Sequence, residues 1–366
     1  MTVYIILTIL TVGTAALIKK QEAGSGAIVT RQQACNYVCL LTLFVFLSGV
    51  SFCRYQVGND YSRYEEFFHL IPLRQVVPTE FGFNGVVLLM QFLFGPDAGI
   101  SIFGLFAFVT VGFMLKAIYD QSEHFLFSFF LFMTLGYYFQ SLNTVRYYLA
   151  WSVAVFSIKY VLKGQYVKFI LLILPTATIH KSVLLVIPVY ILAALPWKRW
   201  QLAALAVFAS SGLVFSEQYQ RLMVRLYPSY EDTAYLDGGT SLINIVRILG
   251  VFVLSLLYYQ RAVAHDRQNR FYFHLNLFAL LLYTCGSFMP EISRIGYYMT
   301  AGHIFLLPSL IGRISDVRQQ RFWNIVVVAA AVLYFGVFLV KAQDLLVRIV
   351  PYHTWIFPGE IVGKAV

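Results

Sequence analysis

The chain has 366 residues, of which 59% are hydrophobic and 12% are charged, and its mean hydropathy is +0.72. A soluble domain carries about 25% charged residues, so this composition excludes a soluble globular protein and predicts a polytopic membrane protein. The formal net charge is +10, but the basic residues are scattered between apolar segments instead of forming one basic face, which argues against a nucleic-acid partner. We expect one all-α transmembrane domain over 1–366, in contact with anionic membrane lipid.

Apolar runs predict about 11–13 transmembrane or re-entrant helices. The candidate segments are approximately 3–18, 34–53, 82–95, 99–116, 124–141, 145–162, 168–179, 182–196, 201–216, 242–260, 271–289, 294–311 and 322–341. A helix rises about 1.5 Å per residue and the hydrocarbon core is about 30 Å thick, so 82–95 and 168–179 are too short to cross as straight helices. We expect broken or re-entrant helices there, as in proteins that bind substrate at membrane depth.

Short basic loops set the expected orientation. They contain Lys159, Lys163 and Lys168; Lys198 and Arg199; Arg261, Arg267 and Arg270; and Arg313, Arg318 and Arg321. By the positive-inside rule these four loops face the cytoplasm, which places the residues near 146, 180 and 294 and the loop 217–241 on the outer face. Full crossings throughout would put the loop 54–80 in the cytoplasm. We therefore predict that 82–95 does not cross, which leaves 54–80 outside as well.

The first outer-face cluster runs from Gly58 to Phe68 and continues to Glu80. At helical spacing Asp60, Tyr64 and Phe67 share a face, with Arg63 beside them. The alternative is that Asp60 caps an interfacial helix whose aromatics belong to a membrane-interface belt. Glu80 opens the next segment, where its alternative is an ordinary acid at a helix N-terminus.

The second cluster contains Arg146 in an apolar hairpin, followed by His180 and Lys181 at a turn between two short apolar halves. Ionisable groups at such positions are costly and mark function. An arginine suits bidentate binding of phosphate or carboxylate, and its alternative is a side chain that reaches out to lipid headgroups. His180 is a candidate general base, and its alternative is a polar group satisfied inside the protein.

The third cluster follows Pro290. Arg294, Tyr298 and Gly302 fall on one helical face, with Glu291 one turn earlier, and a Glu291–Arg294 ion pair is the alternative reading. Arg247 is a third arginine in the outer half. Three arginines near one membrane face fit a doubly charged or pyrophosphate ligand better than a neutral one.

Several nucleotide and metal motifs are missing from the sequence. It has no P-loop, no GxGxxG after a strand, no HExxH and no paired CxxC, so ATP-driven transport and zinc proteolysis lack support. We expect no cofactor and no metal, because arginines can neutralise an anionic leaving group. The acidic residues leave a divalent ion possible.

The polar clusters follow one another in a fixed order along nearly the whole chain. They read Gly58-x-Asp60-x-x-x-Tyr64-x-x-x-Phe68, Glu80-Phe81-Gly82-Phe83, Arg146-x-x-Leu149-Ala150, His180-x-Ser182, Arg294-Ile295-Gly296-Tyr297-Tyr298 and Pro351-Tyr352. This ordered set resembles the EpsG-type polysaccharide polymerases, relatives of the Wzy O-antigen and capsule polymerases. The usual glutamine after the arginine is here Tyr147.

The resemblance implies a multi-pass GT-C-type glycosyltransferase of the bacterial inner membrane, with its active site toward the periplasm. It would transfer a growing glycan from undecaprenyl pyrophosphate onto a lipid-linked repeat unit, and a chain-length regulator is a possible partner. The product class, whether O-antigen, capsule or exopolysaccharide, stays open. Alternatives are a polyprenyl-phosphate-sugar transferase, a membrane acyltransferase and a non-enzymatic flippase or exporter.

Such a reaction needs a base for the acceptor hydroxyl and cations for the leaving pyrophosphate. We assign the base to His180, with Asp60 and Glu80 as rivals. The substrate-binding set comprises the three arginines Arg146, Arg294 and Arg247, together with Arg63, Lys181, Tyr64, Tyr298 and Glu291. The polar stretch Tyr227–Asp232 would cover the acceptor glycan.

Overall fold

The computed structural model describes residues 1–19, 30–226, 241–289, 292–344 and 347–357. Within these ranges the chain is helical and has no β-strand. The elements are α1 (Thr2–Ala15), α2 (Arg31–Phe52), α3 (Tyr61–Leu70), α4 (Phe81–Phe94), α5 (Gly99–Gln121), α6 (Phe125–Thr134), α7 (Tyr137–Gln140), α8 (Val145–Leu162), α9 (Tyr166–Ala177), a 3₁₀ helix (Lys181–Leu185), α10 (Val186–Ala194), α11 (Arg199–Val214), α12 (Ser216–Leu226), α13 (Leu242–Leu257), a π-helix (Tyr259–Val263), α14 (Arg267–Cys285), α15 (Ile292–Thr300), α16 (His303–Gly312) and α17 (Val317–Lys341). The protein is an all-α polytopic membrane protein, as its composition predicted.

Helix length determines which of the described helices are candidates for crossing the membrane. In the described part of the chain, α2, α5 and α17 are long and apolar enough to cross a membrane, and α11 with α12 forms a fourth candidate bent by 87°. The two segments predicted to be short are short: α4 has 14 residues and α9 has 12, or about 21 Å and 18 Å of rise. The number of 11–13 spans and the non-crossing path of α4 stay predictions.

Two predicted segments were wrong as continuous helices, and each break contains a glycine. The segment 124–141 divides into α6 and α7 at Gly136, whose φ of 79° is left-handed and whose Cβ would lie 3.2 Å from the Phe338 ring. The segment 294–311 divides into α15 and α16 at Gly302, where a Cβ would lie 2.9 Å from Tyr272. A glycine lets the backbone turn and a neighbouring ring approach closely. Gly302 therefore lies beyond the helix on which Arg294 and Tyr298 were expected to share a face with it.

The contacts divide the chain into two units. Unit 1 comprises Met1–Ser157, Ile170–Leu184 and Arg321–Val366, and unit 2 comprises Ile158–Phe169 and Leu185–Gln320. In unit 1, α2 packs against α5, and α1 packs against α2 and α6. In unit 2, α14 is central and contacts α10, α11, α13, α15 and α16. The expected loop 217–241 begins as helix α12, and the stretch 227–240, which includes Tyr227–Asp232, lies outside the described residues.

Helix α3 in unit 1 has one apolar face, and this face is buried. Tyr61, Tyr64, Phe67 and Phe68 are buried, whereas Arg63 is exposed. Buried and exposed side chains recur along α3 with the period of an amphipathic helix, which confirms that Tyr64 and Phe67 share a face. The buried rings pack with Phe83 of α4 and with Phe103 and Phe106 of α5, and we call these seven rings the aromatic cluster.

The C-terminal residues 347–357 are tied to the end of α2. The Tyr55 N–H donates to the His353 carbonyl (2.9 Å), and the Trp355 N–H donates to the Cys53 carbonyl (3.2 Å). Between them Arg54 is buried, with 1% of its surface exposed. Its Nη1 donates to Ser51, and its guanidinium lies 4.9 Å from the centre of the Phe103 ring.

Candidate active site

Glu80 connects three segments of unit 1. It is the N-cap residue of α4, with extended backbone angles, but its side chain makes no capping hydrogen bond. Instead Oε2 accepts a hydrogen bond from Arg146 Nη1 at 2.5 Å, and Oε1 accepts one from the Lys181 backbone N–H at 3.0 Å. Glu80 therefore holds α4, α8 and the turn at residues 178–181 together, which goes beyond an ordinary acid at a helix N-terminus.

Arg146 is the second residue of α8 and faces the aromatic cluster. Its guanidinium carbon lies 5.0 Å from the centre of the Phe83 ring and 5.7 Å from that of Tyr64. The side chain is 14% exposed, and the Glu80 side chain is 17% exposed. Protein groups thus hold the cation in a mostly shielded position, where charge-assisted hydrogen bonds are stronger than in water.

His180 lies next to this ion pair, in the turn between α9 and the 3₁₀ helix. Its side chain is 13% exposed, and Nδ1 lies 3.8 Å from Glu80 Oε1, which is too long for a hydrogen bond. The imidazole meets the ring of Tyr147 edge-on at 5.7 Å. The histidine and the arginine therefore both approach the Glu80 carboxylate in one mostly buried place. The Lys181 side chain is exposed, and this residue takes part through its backbone N–H.

Gly82 explains how α4 comes so close to the His180 turn. A Cβ at Gly82 would collide with Thr178, and the Gly82 N–H donates to the Thr178 carbonyl at 2.9 Å. Only glycine leaves room for the first turn of α4 at this distance. The Glu80-Phe81-Gly82-Phe83 motif thus supplies a carboxylate, a close approach and a ring facing Arg146.

The loop that carries Asp60 packs against the turn before α8. Gly58 has a φ of 98°, and a Cβ there would lie 2.5 Å from the Leu142 carbonyl oxygen. The Asp60 N–H donates to Asn143 Oδ1 at 3.2 Å. The Asp60 side chain makes no capping hydrogen bond to α3, so the capping alternative was wrong. The loop is instead fixed against the residues that lead into Arg146.

Burial affects the titration of two side chains on α3. It raises the pKa of Tyr64, and the Arg146 charge opposes this shift only in part, so the phenol stays protonated. Burial also raises the pKa of Glu65, against a smaller opposing effect of His69. Glu65 is a partly buried acid that the sequence patterns did not single out, because it falls between the two faces of α3.

The chain matches the EpsG family over residues 37–354. It belongs to the EpsG family. Family membership and the apolar helices together make it a transmembrane protein of polysaccharide biosynthesis. Comparisons with curated proteins and with solved structures found no match.

The motifs that resemble EpsG proteins serve two purposes in unit 1. Arg146 and His180 lie beside the Glu80 carboxylate. The loop that carries Asp60 contacts Asn143, three residues before Arg146. Tyr352 of the Pro351-Tyr352 motif donates instead to the Val50 carbonyl at 2.9 Å, in the contact between the C-terminal residues and α2. This last motif therefore has a structural role in the fold.

The other predicted site residues belong to unit 2. Arg247 lies on α13, and Arg294 and Tyr298 lie on α15. Tyr298 is buried, and its carbonyl accepts a hydrogen bond from Tyr190 at 3.0 Å. Glu291 lies outside the described residues, as does the alternative Glu291–Arg294 pair. That the arginines of unit 2 share a ligand with Arg146 stays a prediction.

Sequence reasoning missed a buried polar pair in unit 2. His303 Nε2 and Asn276 Oδ1 are 2.6 Å apart, and both side chains are almost fully buried. The cost of placing polar groups among apolar helices, which drew attention to Arg146, would also have identified this pair.

Cations for an anionic ligand are present as side chains. Across the described ranges, no group of three or more His, Cys, Asp or Glu residues is placed to hold a metal ion. In the described part of the chain, Arg146 and His180 each lie beside Glu80. The site therefore brings a guanidinium and an imidazole to the same carboxylate.

Proposed function

We propose that this EpsG protein polymerises a polysaccharide by transferring a growing glycan from undecaprenyl pyrophosphate onto a lipid-linked repeat unit at the periplasmic face of the inner membrane. The observation that carries the proposal is the contact of Arg146 with Glu80 beside His180. A guanidinium suits the leaving pyrophosphate, and an imidazole suits the removal of a proton from a hydroxyl near neutral pH. Family membership supports the polysaccharide substrate.

In the proposed reaction the acceptor hydroxyl oxygen attacks the anomeric carbon of the donor glycan. A glycosidic bond forms, the carbon–oxygen bond to the pyrophosphate breaks, and its electron pair leaves with the pyrophosphate. The hydroxyl proton passes to His180. Arg146 contributes most when negative charge builds up on the leaving oxygen, because a fixed cation then stabilises the transition state more than the ground state.

The contacts of Glu80 favour a positioning role for this residue over that of the base. Both of its oxygens already accept hydrogen bonds, from Arg146 and from the Lys181 backbone. A carboxylate in use on both oxygens orients its donors and is less available to accept a substrate proton. His180 is therefore our base, and Asp60 stays its rival, because the loop that carries it is fixed three residues before Arg146.

Reconstitution tests the proposal against the alternatives. Purified protein in liposomes receives a single lipid-linked repeat unit from the producing strain, and the products are separated by size. We expect a ladder of longer glycans on the same lipid. A sugar transferase from polyprenyl phosphate or an acyltransferase would yield one product of fixed size, and a flippase would return the repeat unit unchanged. Failure to form a ladder across varied lipids and divalent ions would contradict the proposal.

A further inference from the structure

A cavity of about 790 Å³ opens at one end of unit 2, away from any residue assigned to the proposed reaction. This volume is in the range of small-molecule sites. The lining combines apolar and polar side chains, and we call the apolar lining residues the floor and the polar ones the rim. The floor is Leu202, Leu256, Leu257 and Phe273, and the rim is Arg199, Tyr258, Tyr259, Gln260, Arg261 and Gln319. We call it the basic cavity.

An irregular helical turn builds one wall of the basic cavity. After α13 ends at Leu257, the chain forms the π-helix Tyr259–Val263, from which Tyr259, Gln260 and Arg261 line the cavity. Single π-turns are rare and occur often at functional sites. Contacts hold this turn in place: Tyr259 packs edge-on against Phe273 at 5.4 Å, and Arg261 Nη1 donates to Ser315 at 3.3 Å.

The charged residues that line the basic cavity are all basic. Arg199 and Arg261 are exposed at the rim, and none of the ten lining residues is acidic. The nearby carboxylate of Asp266 is bound to Arg313 at 2.7 Å and does not line the cavity. The cavity therefore attracts an anion at its rim and apolar surface at its floor. A molecule with an anionic head and a hydrocarbon chain satisfies both regions, whereas a soluble phosphate leaves the floor unused.

We propose that the basic cavity binds an anionic phospholipid, with its phosphate at Arg199 and Arg261 and an acyl chain along Leu202, Leu256 and Leu257. Basic pockets between membrane helices on the cytoplasmic side recognise anionic lipid headgroups. Three of the basic loops expected in the cytoplasm border this end of unit 2, which agrees with a lipid of the inner leaflet. The proposal is independent of the polymerase reaction.

Native mass spectrometry of the purified full chain tests the assignment. The protein is titrated with phosphatidylglycerol and with phosphatidylcholine of the same acyl chains. The test variant is Arg199→Gln with Arg261→Gln, in which glutamine retains hydrogen-bonding capacity without the charge. The matched control is Arg267→Gln with Arg318→Gln, which removes the same charge from exposed positions of the same unit that do not line the cavity. A third variant, Leu257→Gln, alters the floor at constant charge.

We expect the wild-type protein to prefer phosphatidylglycerol and the test variant to bind it about 30-fold more weakly, at about 1 kcal/mol per arginine. The control should retain wild-type affinity, and Leu257→Gln should weaken binding without loss of charge. Equal losses in test and control variants would show non-specific attraction and overturn the proposal. Unchanged binding in the test variant would also overturn it, as would full competition by glycerol phosphate. Equal melting temperatures in phosphatidylcholine discs confirm that the variants are folded.

Discussion

Two arginines of unit 1 lie against the same aromatic cluster and differ in their polar partners and in their exposure. Arg146 lies over Phe83 and Tyr64, bonds Glu80 and is 14% exposed. Arg54 lies over Phe103 and Tyr61, is 1% exposed, and its Nε and Nη2 have no hydrogen-bond partner. Contact with rings is common to both, so it does not identify the functional one.

The two arginines differ in whether a carboxylate binds them and in how much of the side chain is exposed. Glu80 accepts a hydrogen bond from Arg146, whose side chain is 14% exposed, and His180 lies beside the same carboxylate. Arg54 is enclosed between the end of α2 and the C-terminal residues and donates to Ser51. A cation that must meet a substrate needs an opening as well as an orienting partner, and Arg54 is wholly enclosed, so we expect it to serve packing. Substitutions at these sites separate the two roles.

The largest effect is expected at His180, on the Arg146 side of the comparison. His180→Ala should lower the initial rate of ladder formation by about 10²–10⁴-fold, the usual contribution of a general base, with the melting temperature unchanged. His69→Ala is the matched control, because His69 is an exposed histidine of the same unit. A His180→Ala protein with wild-type rate would transfer the base role to Asp60.

Removal of Arg146 should act on ligand affinity. Arg146→Ala should weaken binding of undecaprenyl pyrophosphate by about 10- to 100-fold, in line with 1.5–3 kcal/mol for a hydrogen bond to a charged group. Arg146→Lys keeps the charge without the fork of donors and should fall between the two. Binding is measured by titration in nanodiscs, with the exposed Arg31→Ala as control. Equal affinity in Arg146→Ala and wild type would refute the role of this arginine.

Local sequence patterns predicted the helices and the buried faces of this site, but not the contacts between these helices. The helical spacing of aromatics predicted the buried face of α3, and the approximate apolar segment 145–162 coincides with α8. These features depend on neighbours in sequence, so they can be read from periodicity. The breaks at Gly136 and Gly302 were missed because a glycine inside an apolar run does not by itself end a helix, as Gly104 inside the continuous α5 shows.

The contact between Glu80 and Arg146 joins residues 66 positions apart, and the bond from Lys181 to Glu80 spans 101 positions. Such pairs depend on how α4, α8 and the His180 turn pack, which no local pattern contains. The same limit applies to Asp60, for which a helix cap was the alternative interpretation. Its residue type suited a helix cap, but the turn at Asn143 holds its backbone. Residue types at costly positions indicated the site, and packing determined the partners.

Substitution of Arg54 tests the packing side of the comparison. Arg54→Ala leaves a cavity and should cost about 2–5 kcal/mol of unfolding free energy. Arg54→Met fills most of the same space without a buried charge and should stay within about 1.5 kcal/mol of wild type, because apolar replacements of buried charges are often neutral. Thermal unfolding in detergent measures both. A folded Arg54→Met protein that forms no ladder would make Arg54 a second functional arginine and remove the contrast with Arg146.

The smallest effect is expected at Tyr64, whose ring lies against the Arg146 guanidinium. Tyr64→Phe retains a ring face for the guanidinium, so the rate of ladder formation should stay within about threefold of wild type, whereas Tyr64→Leu should lower it roughly 5- to 30-fold. Because burial raises the pKa of Tyr64, its phenol stays protonated at and above neutral pH and should add no titration to the rate between pH 7 and 10. Initial rates across that range measure both statements. A Tyr64→Phe protein with no activity, or with an altered alkaline limb, would show that the hydroxyl takes part, and Arg146 would then depend on a hydrogen-bonded tyrosine as well as on an aromatic face.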